Sequence, residues 1–294
     1  MNLQLKNGQT IELEGAQIMG IINVTPDSFF SGSRCEGEEN LRARVRQIVE
    51  EGASMIDVGA YSTRPDADEV SAEEELARLS SALPVIKDEI GKIVPEGKTI
   101  LVSVDTFRAD VARVCVMQYG VDIINDVSGG TLDEEMLGVV VETRAPYIMM
   151  HMRGRPQTMQ TMTDYPDGVT NEVMKFFRKQ LALLEEKYQE VNGEDSVCDI
   201  SVILDPGFGF AKTIEQNYQL FSNLPAFKYS FKDYPLLVGI SRKSMIYKLL
   251  ETDAEHALNG TMVLNALAVS SGADILRVHD VKEAVDVVRQ IGNK

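Results

Sequence analysis

Eight short apolar runs, each closing on polar residues and followed by a charged stretch with helical spacing, constrain this chain more than any other feature. They are Ile18–Asn23, Met55–Gly59, Ile100–Asp105, Val121–Asn125, Tyr147–His151, Ser201–Asp205, Leu236–Ser241 and Asp274–His279. A strand that is apolar without alternation must be covered on both faces, as in a parallel sheet whose crossovers are helices. Eight such units predict an α/β fold, a (β/α)8 TIM barrel. The 294 residues suit this, because such a barrel takes roughly 250 residues, so residues 1–294 are expected to form a single domain. Gly52, Gly120 and Gly272 stand a few residues before a run, where a helix C-cap belongs.

Ahead of the first run, Leu3 to Leu13 alternates apolar and polar residues around Asn7-Gly8, which predicts a short N-terminal β-hairpin within residues 1–16 serving as a lid. The longest interval, between His151 and Asp205, holds a loop rich in Gly, Pro and Thr. It leads into a helix expected over Asn171–Gln189, with Phe176, Phe177, Leu181, Leu184 and Tyr188 at core-facing spacing. The acidic stretches Glu36–Glu39 and Glu73–Glu75 read as solvated helix starts, where negative charge complements the helix dipole. No linker, low-complexity tract or second domain is evident.

A net charge of −16 argues against nucleic acid or an anionic membrane as partner, so any anionic ligand must meet a local basic cluster. Cys35, Cys115 and Cys198 are odd in number and widely spaced, which suits reduced thiols rather than a zinc or redox pair. Residues 1–15 carry Lys6 and Glu12 without an apolar stretch, so neither signal peptide nor anchor is expected, and a cytoplasmic location follows.

Barrel enzymes work at the C-terminal mouth, which directs attention to the residues ending each run. These are Asn23, Asp57, Asp105, Asn125, His151, Asp205, Ser241-Arg242-Lys243, and Arg277 with His279. Two groups stand out. Asp105, Asn125 and Asp205 offer hydrogen-bond partners suited to the edge of a planar heterocycle such as an aminopyrimidinone. Strand-end Asp and Asn also cap helices, so no single one of them decides the matter. Arg64, Arg242, Lys243, Arg277 and His279 form a cationic group suited to phosphate oxygens, although any one of them could instead pair with a nearby carboxylate. The segment Gly207-Phe208-Gly209-Phe210-Ala211-Lys212 lacks the third glycine of a dinucleotide fingerprint, and no phosphate-binding P-loop or G-x-S-x-G elbow is present. Met150 reads first as core filler, with a flat ligand as the second possibility.

Met19-Gly20-Ile21-Ile22-Asn23-Val24-Thr25-Pro26-Asp27-Ser28-Phe29 closely resembles the first-loop motif of dihydropteroate synthases. In family order follow Ser62-Thr63-Arg64-Pro65, Ser103-Val104-Asp105-Thr106, Asn125-Asp126-Val127-Ser128, Met150-His151-Met152-Arg153-Gly154 and Leu204-Asp205-Pro206-Gly207-Phe208-Gly209-Phe210. Gly239-Ile240-Ser241-Arg242-Lys243-Ser244 and Arg277-Val278-His279-Asp280 complete a resemblance spanning residues 17–291.

The resemblance implies a transferase of folate biosynthesis. It would join 6-hydroxymethyl-7,8-dihydropterin pyrophosphate to 4-aminobenzoate, giving 7,8-dihydropteroate and pyrophosphate by a dissociative route. It implies that Asp105, Asn125 and Asp205 hold the pterin, with Lys243 and Met150 beside it, and that Gly239 also binds substrate. Asn23, Arg277 and His279 would bind the pyrophosphate with Mg2+, Asn23 serving as metal ligand. Thr63, Arg64, Pro65, Phe210 and Ser244 would shape the aminobenzoate site. A catalytic set of Asn23, Asp105, Asp205, Lys243, Arg277 and His279, small-molecule partners only, and a homodimer are likewise implied.

The chain departs from the family pattern at Phe30-Ser31-Gly32-Ser33, at Ala60-Tyr61 in place of Gly-Glu, at Asp66, and at Ala211, where the family has Gly. Two competing readings are a pterin-binding methyltransferase serving a corrinoid protein and a non-catalytic pterin-binding paralogue. The first does not need the basic residues after the seventh and eighth runs. The second rests on the altered loops alone.

Overall fold

The computed structural model describes residues 1–24, 34–61, 70–155 and 157–292. Two strands, β1 (Asn2–Gln4) and β2 (Thr10–Glu12), form an antiparallel hairpin. The repeating part opens with β3 (Gln17–Asn23), α1 (Arg34–Glu50), β4 (Met55–Gly59), α2 (Ala72–Ile93), β5 (Leu101–Asp105), α3 (Ala109–Tyr119), β6 (Ile123–Asp126) and α4 (Met136–Thr143). It continues with β7 (Tyr147–Met150), α5 (Val169–Asn192), β8 (Val202–Asp205), α6 (Ile214–Ser222), α7 (Leu224–Ser230) and β9 (Leu237–Val238). The last elements are α8 (Ser244–Tyr247), α9 (Leu258–Ser270), β10 (Ile275–Val278) and α10 (Val281–Gly292).

Strands β3 to β10 form one parallel sheet in the order β8-β7-β6-β5-β4-β3-β10-β9. A parallel bridge between Leu204 and Leu236 joins its two ends, so the sheet closes into the expected barrel. All eight apolar runs are strands, with ends shifted by a few residues; the seventh keeps only Leu237–Val238 in regular pairing. The long helix runs two to three residues beyond the expected span at each end and buries Phe177, Leu184 and Tyr188.

The unbroken apolar character of the strands is explained by two separate cores. Ile18, Ile22, Ile56, Val58, Val102, Val104, Ile124, Tyr147, Met149, Leu204, Val238 and Leu276 point outward and pack beneath the helices. The alternate residues Met19, Met55, Leu101, Ile123, Ile148, Ile203, Leu237 and Ile275 supply one side chain from every strand to a ring inside the barrel. Leu3 of the hairpin packs against this ring, with Met1, Leu5, Ile11 and Leu13 around it. The hairpin is therefore a plug at the strand N-termini, opposite the mouth, rather than a lid over the site. Its turn also differs from the expected Asn-Gly pair: a longer loop joins the strands and Gly8 alone in it has positive φ.

The expectation of solvated acidic helix starts fails at Glu75. Ser71 caps α2 through its side chain, but Glu75 is fully buried and pairs with Arg108. Arg108 in turn lies over the rings of Tyr61 and Phe107.

Candidate active site

Strand side chains alternate, so the parity of the inner ring decides which later residues line the barrel above it. Stepping two or four residues from each ring member toward the mouth reaches Asn23, Asp57, Asp105, Asn125, Met150, Asp205, Gly239 and Arg277. Every strand thus contributes to the mouth a residue singled out from the sequence. Four of these are joined directly. Arg277 donates from Nε to Asp57 Oδ2 at 2.7 Å and from Nη2 to Asp105 Oδ2 at 2.7 Å. Asn125 Nδ2 donates to the same Asp57 oxygen at 3.0 Å. Residues of β4, β5, β6 and β10 are knit together across the axis in this way.

Asp205 stands on the opposite side, its Oδ1 accepting from the backbone N–H of Gly207 at 2.8 Å. Gly239 is a bare stretch of backbone between Arg277 and Asp205: a β-carbon there would lie 3.8 Å from Arg277 Cβ and 3.9 Å from Asp205 Oδ2. Lys243 donates from Nζ to the Phe208 carbonyl at 2.6 Å, with Nζ 4.7 Å from the centre of the Phe210 ring. Met150, Val127, Met152, Met159 and Ala211 form a buried apolar wall at the mouth, flanked by Phe107, Leu132 and Phe210. Ser244 opens the short helix α8 and is half-buried. His279 is exposed at the rim, its ring Nδ1 3.1 Å from Ser241 Oγ. Asn23 ends β3 with its side chain exposed. Thr63, Arg64 and Pro65, and the altered positions Phe30–Ser33 and Asp66, lie outside the described residues.

Withdrawal from water raises the Asp105 pKa to about 7; Arg277 opposes the rise, and the carboxylates of Asp57, Glu75 and Asp126 add to it. Asp205 moves the same way through burial, against the pull of Lys243. Burial lowers Lys243 to about 8, opposed by Asp205 and assisted by the positive charge of Arg277. The mouth therefore holds one carboxyl group, Asp105, and one amine, Lys243, that change protonation near neutral pH, the behaviour expected of groups handling a charged, reacting ligand.

Two of the strand-end residues do other work. Arg242 does not join the cationic group: its guanidinium grips both oxygens of Asp280 at 2.8 Å and donates to the carbonyls of Ala254 and Glu255. Those four contacts make it a strut within the loops after β9 and β10. His151 has the outward parity and is buried, its Nδ1 3.0 Å from Lys212 Nζ and its ring edge-on to Phe176. The separate reading of Ala211 as a loop change has a conformational basis, since its φ is +50°, a region that glycine adopts more easily.

Two residues that matter to the site received no role from the sequence. Asp57 is fully buried between Asn125 and Arg277, and its inward parity was the available signal. Lys212 is buried beneath the loop after β8 and donates to the carbonyls of Gly207 and Phe210 at 2.8 and 3.1 Å. It braces the loop that carries Asp205 and the Lys243 contact.

A closed parallel barrel with these groups at its C-terminal mouth defines an enzyme of the small-molecule-binding barrel class. The family described as pterin binding enzyme matches residues 19–279. The dihydropteroate synthase of Synechocystis is 41% identical over 96% of this chain and 92% of its own length. The structure of Xanthomonas albilineans dihydropteroate synthase with 4-aminobenzoic acid superposes with a TM-score of 0.83 at 33% identity, covering 99% of this chain and 97% of that one. The same enzyme in complex with 7,8-dihydropteroate gives 0.80 at 32% identity, covering 100% and 98%. The chain belongs to the pterin binding enzyme family and, within it, to the dihydropteroate synthases, transferases of folate synthesis.

Proposed function

We propose that the barrel mouth joins 6-hydroxymethyl-7,8-dihydropterin pyrophosphate to 4-aminobenzoate by a dissociative route. The observation that carries this reading is the convergence of Asn125 and Arg277 on Asp57, with Asp105 joined through Arg277, facing Asp205 and Lys243 across bare Gly239. Asp205 and the Asn125 carbonyl accept from the edge of the pterin, while Met150 and the apolar wall cover its face. Arg277 and His279 face the pyrophosphate side, and Lys243 lies beside the pterin with Asp205. The carbon–oxygen bond breaks first, its electron pair leaving with pyrophosphate and the positive charge spreading over the dihydropterin. The carboxylates of Asp105 and Asp205 favour that cation, because preorganised charge in a water-poor site acts where charge develops. The aniline nitrogen of 4-aminobenzoate then forms the new bond and releases its proton. Phe210, Ser244 and the loop carrying Thr63, Arg64 and Pro65 shape the site for that second substrate.

Asn23 would hold Mg2+. A β-carbon on Gly59 would lie 3.6 Å from both Asn23 Oδ1 and Asp105 Oδ2, so two oxygens flank one uncovered backbone position. No cluster of three or more His, Cys, Asp or Glu able to hold a metal occurs among the described residues. That donor set fits Mg2+, which takes one or two protein oxygens and completes its shell with water and substrate phosphates. When bound, the ion would offset charge on the departing pyrophosphate.

A homodimer is proposed from the apolar face of α9, where Val263 and Leu267, one turn apart, are exposed; Leu249 and Leu250 after α8 are exposed as well. A cytoplasmic location is proposed from composition; no helix among the described residues is long and apolar enough to cross a membrane.

Calorimetry of Asp205→Asn tests the pterin assignment. We expect affinity for 6-hydroxymethylpterin to fall about 10- to 100-fold as a charged acceptor is lost. Unchanged affinity would remove Asp205 from the pocket.

A further inference from the structure

Asp57 stands behind the pocket rather than in it. It is fully buried on β4, two residues before Gly59 and so deeper in the barrel, and none of its surface reaches solvent. Its Oδ2 accepts from two partners that do face the mouth, Asn125 Nδ2 at 3.0 Å and Arg277 Nε at 2.7 Å. Its Oδ1 has no partner among the described residues.

The chemistry of this contact fixes two orientations. A carboxylate oxygen only accepts, so the amide of Asn125 must turn its NH2 group inward, leaving its carbonyl oxygen toward the pocket. An unconstrained carboxamide would present either end. The guanidinium is planar, and binding its Nε to Asp57 and one Nη to Asp105 sets the tilt of the whole group. Its second terminal nitrogen, Nη1, has no hydrogen-bond partner among the described residues and is open to a ligand.

We propose that Asp57 is a positioning residue that, through one oxygen, fixes which edge of Asn125 the pterin meets and which face of Arg277 its pyrophosphate meets. This deepens the dihydropteroate synthase reading and rests on it. Asp57 thereby selects for a ring that offers an N–H, rather than a lone pair, to Asn125.

The test is a double-mutant cycle on the full-length protein with Asp57→Asn, Arg277→Lys and the two together. The readouts are 6-hydroxymethylpterin affinity by calorimetry, and kcat and KM for both substrates. Asp57→Asn keeps the shape and removes the charge. We expect kcat/KM for the pterin pyrophosphate to fall about 10- to 100-fold with an unchanged KM for 4-aminobenzoate. The double variant should be little worse than Arg277→Lys alone, because the two changes remove one device. Circular dichroism and melting curves monitor the fold, and Asp57→Ser serves in the same cycle should the Asn variant not accumulate. Wild-type affinity in the variant would overturn the proposal, and so would losses that add across the cycle. Absence of product from the unmodified protein would instead count against the synthase reading. The calorimetric cycle would still decide the role of Asp57 in pterin binding.

Discussion

Lys243 Nζ donates to the carbonyl oxygen of Phe208 at 2.6 Å, so the cation on the loop after β9 is tied to the backbone of the loop after β8. The same nitrogen faces the Phe210 ring and is held near Asp205 by charge. Replacing Lys243 by Ala is expected to lower turnover about 100-fold or more, while the circular dichroism spectrum stays that of the parent. Near-normal activity in a folded variant would contradict the assignment.

The pH dependence follows from the two shifted groups. Asp105 acts as a carboxylate, so kcat/KM should rise as its proton leaves near pH 7. Lys243 acts as a cation, so the rate should fall as it loses its proton near pH 8. The profile is a narrow bell. Asp105→Asn, where enough activity survives to measure, should remove the acidic limb and leave the alkaline one; two unchanged limbs would assign them to other groups.

The loop that presents Asp205 has little room for change at Gly207. Its φ is +71°, and a β-carbon there would come within 2.0 Å of the His151 carbonyl oxygen. Gly207→Ala should destabilise the fold by about 3 kcal/mol or more, through strain and displaced backbone. Ala211 already bears a positive φ. Ala211→Gly should alter stability by less than about 1 kcal/mol, since relief of that strain is offset by the lost buried methyl and greater chain entropy. Chemical denaturation compares the two directly, and equal costs would refute the argument.

The exposed face of α9 gives a prediction about assembly. Leu267→Glu should shift the protein from dimer to monomer in light scattering, because Val263 and Leu267, at 60% and 50% exposure, form an apolar step that no described residue covers. A variant as dimeric as the parent would place the interface elsewhere.

The barrel was legible because each strand is apolar on both faces, and the site was legible because polar residues interrupt the runs near their ends. Alternation then carries Asn23, Asp105, Asn125, Asp205 and Arg277 to the axis and turns His151 and Asp126 away from it. The sequence could not tell which partner a cation would find. Arg242 and Arg277 read alike, yet Asp280 captures the first inside its own loops while Asp57 and Asp105 hold the second across the mouth. Asp57 looked like one more strand-end carboxylate; only its two tertiary hydrogen bonds separate it from the residues that face the ligand. The hairpin was found from its alternation, but its place below the barrel depends on the ring that Leu3 meets, which is assembled from eight distant strands.

The central claim is tested most directly by incubating the purified protein with 6-hydroxymethyl-7,8-dihydropterin pyrophosphate, labelled 4-aminobenzoate and Mg2+, alongside a chelator control. The account predicts labelled 7,8-dihydropteroate with the metal present and little with it chelated. Pterin binding without product, metal present, would contradict it.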